Sequence, residues 1–116
     1  MARILLSEPR EDTREMIRRM LERLGHEVTE VGLPAPGQLT DTDAVLVDPA
    51  RPIGTTLCQA ARLVNPGLAL ICVSVAEPPG ELAALGIAFD ACLYKPFTSE
   101  ELAGALERVL SRVQSA

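Results

Sequence analysis

An α/β architecture is expected from this sequence: a doubly wound, five-stranded parallel sheet with helices on both faces. Three observations lead to it. Short apolar runs such as Ile4-Leu5-Leu6 and Ala44-Val45-Leu46-Val47 stop at acids or prolines, as buried strands stop at a polar rim. Between these runs lie segments whose apolar residues recur at helical spacing. The two kinds of segment alternate along 116 residues, a length that suits one domain, residues 1–116. A helix that connects parallel strands must bury its apolar stripe on the sheet, so both faces become covered.

The elements follow in order. Ile4-Leu5-Leu6 forms the first strand and ends at Ser7-Glu8-Pro9. Asp12 and Glu15 make a capping-box pair for a helix striped by Met16, Ile17, Met20, Leu21 and Leu24, and Gly25 ends it. Residues 27–31 alternate polar and apolar, as a strand with one side partly exposed does. Residues 32–43 contain two prolines and two glycines, which oppose a full helix and leave a loop or one helical turn. Ala44-Val45-Leu46-Val47-Asp48 is the third strand, and Pro49 and Pro52 bar its continuation.

Thr55 or Thr56 caps the next helix, in which Leu57, Ala60, Ala61 and Val64 share a face. It stops near Asn65-Pro66-Gly67, and residues 68–75 supply the fourth strand. Pro78-Pro79-Gly80 opens a short helix from Glu81 to about Leu85. Ala91-Cys92-Leu93-Tyr94 makes the last strand, closed by Lys95-Pro96-Phe97. Thr98 with Glu101 is a capping box for a final helix striped by Leu102, Ala105, Leu106, Val109, Leu110 and Val113. Five such strands fit the flavodoxin-like order 2-1-3-4-5.

Composition narrows the function. With two Phe, one Tyr and no Trp, the core is aliphatic and offers no aromatic platform for nucleic-acid bases. A net charge of −5 opposes binding to phosphate backbones or anionic lipid, so neither nucleic acid nor membrane is expected as a partner. No signal-peptide core follows Met1 and no run approaches membrane-spanning length, so a cytoplasmic location is expected. Cys58, Cys72 and Cys92 are odd in number, lack CxxC spacing and lie in apolar stretches, where buried structural thiols are expected. His26 follows the helix-ending glycine and has no second histidine to share a metal with, which suits a solvated turn. Arg14, Arg18, Arg19 and Arg23, interleaved with Glu15 and Glu22, suit the solvated outer face of the first helix.

In a sheet of this kind the carboxyl ends of the strands meet in one crevice, where ligands bind. Those ends carry Glu8, Asp48, Ser74 and Lys95. An acid after the first strand, an acid after the third, a hydroxyl after the fourth and Lys-Pro after the fifth resembles the CheY-like receiver domain of two-component response regulators, along nearly the whole chain. The resemblance implies a signalling module rather than a metabolic enzyme. It makes Asp48 the phosphoacceptor, supplied by a sensor histidine kinase or a histidine phosphotransfer protein and read by an unidentified downstream protein. A carboxylate attacks phosphorus only where charge on the phosphoryl oxygens is neutralised, so a divalent cation and a lysine must stand beside it. In the family's terms Lys95 supplies the fixed charge, Ser74 bonds a phosphoryl oxygen, and Mg²⁺ takes Glu8, Asp48 and the backbone carbonyl of Ala50. The same resemblance implies a cis Lys95-Pro96 bond and offers, as the alternative to a merely solvated face, a first helix that docks a kinase or histidine phosphotransfer protein.

Four departures from that family stand out. Where it carries two adjacent acids after the first strand, this chain has Glu8 and then Pro9, so a side-chain ligand is lost and Mg²⁺ binding is expected to weaken unless Glu8 or Glu11 reaches in. The turn from Pro49 to Gly54 is shorter than the family's common loop, and residues 32–43 are too short for its second helix. Cys92 holds the place of the family's switch aromatic, and Tyr94, on the same strand face, is displaced by about 6–7 Å. Two functions therefore compete: a phosphoaccepting receiver, and a pseudo-receiver that keeps the fold but signals by contact, ligand binding or dimerisation. A flavodoxin-like cofactor or redox protein would need a phosphate-cradling loop or paired thiols at a strand end, and the sequence shows neither.

Overall fold

The computed structural model describes residues 1–75, 80–84 and 86–115, the side chains of 81, 82 and 112–115 excepted. Five parallel strands form the sheet: β1 (Arg3–Ser7), β2 (Glu27–Glu30), β3 (Ala44–Val47), β4 (Ala69–Ser74) and β5 (Ala91–Tyr94). Their order is β2-β1-β3-β4-β5, the flavodoxin-like arrangement. The central strands β3 and β4 are buried at every residue, which is why they read as unbroken apolar runs. The edge strands are more open: β2 is exposed at Glu27, Thr29 and Glu30, and β5 at Cys92 and Tyr94.

Helices α1 (Glu11–Arg23) and α5 (Ser99–Ser115) lie on one face. There Ile17 and Leu21 meet Leu102, Leu106 and Val109 over Ile4, Leu6, Leu46 and Ile71. On the opposite face α2 (Pro36–Thr40) and α3 (Pro52–Val64) bring Leu39, Leu57, Cys58 and Ala61 over Leu5, Val45, Val47 and Leu70. The fourth helix, between β4 and β5, is the short α4 (Gly80–Ala84). Its expected opening at Pro78-Pro79 and its end at Leu85 lie outside the described residues, as does the side chain of Val113 in the final stripe.

Most boundaries fall where the sequence placed them. Gly25 ends α1 with a positive φ of 88°, a conformation that glycine adopts without strain. Thr98 and Glu101 form the reciprocal capping box: the Thr98 amide donates to Glu101 Oε1 at 3.0 Å, and the Glu101 amide to Thr98 Oγ1 at 3.1 Å. Residues 32–43 contain only the five-residue α2, started by Pro36 and held by the Ala35 amide donating to Gln38 Oε1 at 2.8 Å.

Two helix starts require correction. α1 begins at Glu11, with Arg10 as an extended N-cap lacking a side-chain cap bond. Asp12 is already helical, its carboxylate accepts from the Thr13 amide at 2.9 Å, and Glu15 pairs with Arg19 at 2.8 Å. α3 begins at Pro52, three residues before Thr55, because a proline at the first helical position has no amide to leave unsatisfied. The Thr55 and Thr56 hydroxyls instead donate back to the carbonyls of Pro49 and Pro52. Arg14 and Arg18 also depart from the expected solvated face: both reach across to Glu30 on β2, with Nε–Oε distances of 3.3 and 2.7 Å. His26 is half-buried rather than solvated, and its Nδ1 accepts from the Ala2 amide at 3.1 Å. Among the described residues no helix is long and apolar enough to cross a membrane.

Candidate functional site

The strand order reverses between β1 and β3, so the connections leaving these two strands diverge and open a crevice at their carboxyl ends. Glu8 follows β1 and Asp48 follows β3. The Asp48 amide donates to the Ser7 carbonyl at 3.3 Å, which locks the two strand ends side by side. Arg14 Nη1 donates to the Glu8 carbonyl at 3.1 Å, fixing the turn into α1. Asp48 then closes a small turn of its own, Oδ1 accepting from the Ala50 amide at 3.0 Å. Ala50 thus stands beside the carboxylate, and the group shown bonded to it is the amide.

Lys95 enters from the far side of the sheet. Its amide donates to the Ser74 carbonyl at 2.8 Å, joining the ends of β4 and β5, and the Lys95-Pro96 bond is cis. The ammonium donates to both Glu8 oxygens, at 2.8 and 2.9 Å, and to Asp48 Oδ2 at 3.2 Å. The Glu8 side chain is 1% exposed, and those of Asp48 and Lys95 12% and 14%. Two carboxylates and one ammonium therefore share a largely buried crevice whose formal charges leave one negative in excess. Removing the ammonium would leave both acids uncompensated, a large cost at this burial. Ser74, buried at the end of β4 in register with Tyr94, stands at the same edge.

A groove of about 600 Å³ opens beside the crevice, lined by Pro9, Val31, Arg51 and Ile53 together with Glu8 and Asp48. It lies between the turn after β1, the end of β2 and the start of α3. Sequence inspection missed Gly54 and Arg14. A Cβ at Gly54 would overlap the Asp48 carbonyl oxygen, so glycine is required where α3 passes behind the acid. The one available signal was a glycine in the first turn of a helix, where it otherwise weakens the helix.

The donor set suits a hard cation in kind, since Mg²⁺ prefers oxygen and accepts one or two carboxylates. It is sparse in number. Pro9 offers no side-chain oxygen, and among the described residues no cluster of three or more His, Cys, Asp or Glu side chains is arranged to hold a metal ion. A cation would compete with Lys95 for both oxygens of Glu8.

The cysteines divide. Cys58 and Cys72 are buried as expected, and burial pushes their thiols up to about 11 and about 12. Cys92 is exposed, contrary to expectation, because it sits on the edge strand β5 and points to the more thinly covered face.

A parallel 2-1-3-4-5 sheet with a lysine and two acids at its carboxyl edge defines a class: the chain has the fold of the CheY-like response-regulator receiver domain. It is similar to the receiver domain of a sensor histidine kinase from Pseudomonas aeruginosa, solved with magnesium in its active-site cleft, at 26% identity over 95% of this chain and 98% of that one, with a TM-score of 0.77. A CheY-like receiver protein from Methanospirillum hungatei matches at 22% identity over 99% and 98% of the two chains, TM-score 0.82. The chemotaxis protein CheY4 of Vibrio cholerae matches at 23% identity over 94% and 98%, TM-score 0.76. No protein-family model and no curated protein matches the sequence. The likeness supports a response-regulator receiver role.

Proposed function

We propose that residues 1–116 act as a cytoplasmic receiver in two-component signalling, with Asp48 accepting a phosphoryl group from a histidine kinase or histidine phosphotransfer protein. The observation that carries this reading is the Lys95 ammonium 3.2 Å from Asp48 Oδ2 in the crevice. An Asp48 oxygen attacks phosphorus, the phosphorus–nitrogen bond to the donor imidazole breaks, and the imidazole leaves with a proton. Lys95 neutralises charge gathering on the phosphoryl oxygens, and Ser74 donates a hydrogen bond to one of them. Glu8, Asp48 and the Ala50 carbonyl would hold Mg²⁺, which adds positive charge opposite the same oxygens. Its affinity is low, since Pro9 removes one ligand and Lys95 engages Glu8.

A second reading, a pseudo-receiver that signals without phosphorylation, is favoured by that same bidentate Lys95–Glu8 pair, which satisfies the crevice from within. Mass spectrometry after incubation with acetyl phosphate and rising Mg²⁺ separates the two. An acid-stable phosphomonoester is not expected; an acyl phosphate on Asp48, labile to both acid and base, absent from Asp48→Asn and formed at lower Mg²⁺ in Pro9→Asp, is. No adduct at any Mg²⁺ concentration in either the unmodified chain or Pro9→Asp establishes the pseudo-receiver instead.

A further inference from the structure

Cys72 and Cys92 are register partners across β4 and β5, so their side chains leave the same face of the sheet. Adjacent strands lie about 4.8 Å apart, within the Cα separation of about 4.4–6.8 Å that a disulfide spans. Both thiols are free, and they are unlike: Cys72 is buried, Cys92 exposed. Burial, and after it the neighbouring Cys92 side chain, keep the Cys72 thiol protonated. A pair of contacting thiols, one open to solvent and one sheltered beneath it, is the arrangement in which the outer sulfur meets an oxidant first and the inner one resolves the product.

We propose that Cys92 is a hydroperoxide-sensitive modification site and that Cys72 converts its oxidised form into an intramolecular disulfide joining β4 to β5. In the first step the Cys92 thiolate attacks one oxygen of the hydroperoxide. The oxygen–oxygen bond breaks, Cys92 becomes a sulfenic acid, and the other oxygen leaves as water or an alcohol after taking a proton. In the second step the Cys72 sulfur attacks the Cys92 sulfur, the sulfur–oxygen bond breaks, and hydroxide departs as water with the Cys72 proton. The two thiols together lose two electrons, and the hydroperoxide gains them. The order follows from burial: Cys72 is held protonated and out of solvent until a sulfenic sulfur forms beside it. Cys58 is buried and takes no part.

The bridge would join the strand leading to Lys95 to the neighbour of the strand leading to Asp48, so oxidation acts on the walls of the crevice. This inference does not depend on Asp48 being phosphorylated. The test treats the full chain with hydrogen peroxide, with and without a dimedone trap, and maps the peptides without reduction. The expected result is an intact mass lower by two hydrogens, restored by dithiothreitol, and one peptide pair linked through Cys72 and Cys92. Cys92→Ser should show no such loss, and Cys72→Ala should leave the trap on Cys92. Should the buried Cys72→Ala variant fail to fold, the peptide map of the unmodified chain decides alone. Trap on Cys58 or Cys72, a disulfide between two copies, Cys92 oxidised further without a link to Cys72, or no oxidation at all would overturn the proposal.

Discussion

On one face of the sheet, helices of 13 and 17 residues cover the strands; on the other, among the described residues, α3 has 13 residues and α2 five. The consequence is visible along β5. Leu93 points to the α1/α5 face and is buried, while Cys92 and Tyr94 point to the other face and are exposed. Strand hydrophobicity is therefore not what decides which residues meet solvent. At this edge strand the helix cover above each face decides it, and the accessible thiol lies on the thinly covered one.

If helix coverage sets the packing, truncating a core leucine should cost more on the thick face. Leu106→Ala should lose stability near the top of the range of about 2–5 kcal/mol for such changes, and Leu39→Ala near the bottom, because the single turn of α2 can settle into the space. Urea unfolding of both variants checks this, and the reverse order would break the comparison. Lys95→Met tests the edge where the two faces meet. It should cost on the order of 3 kcal/mol, the low end for an opened buried ion pair because the crevice touches solvent, while Lys95→Arg should recover part of it. Gly54→Ala should cost about 1–3 kcal/mol by pushing α3 off Asp48, and thermal melts would measure it.

The smallest expected effect lies at the α1–β2 turn. Burial, and secondarily the N-terminal ammonium, lower the His26 pKa below its ordinary 6.5. The folded state therefore prefers neutral His26. Its contribution is present above pH 6.5 and is lost as pH falls through the lowered folded value, since the unfolded chain then binds the extra proton. Denaturation midpoints followed from pH 7.5 to 5 should lose part of this slope in His26→Ala.

The interval between strands, the stops at Gly25 and Pro49, and the capping box at Thr98 are local properties, and all were legible in the chain. So was the meeting of Glu8, Asp48 and Lys95, because a parallel sheet carries every strand end to the same edge. Helix starts were less so: Asp12 and Thr55 are good caps by type, yet the extended backbone at Arg10 and the proline at position 52 set the boundary first. Only the tertiary structure decided that Lys95 grips both oxygens of Glu8, that Gly54 must pass behind Asp48, and that Cys72 and Cys92, twenty residues apart in sequence, are neighbours. The physical reason is the same in each case. Periodicity and capping depend on residues within a turn or two of one another, whereas pairing across strands depends on register and on which face each helix leaves uncovered.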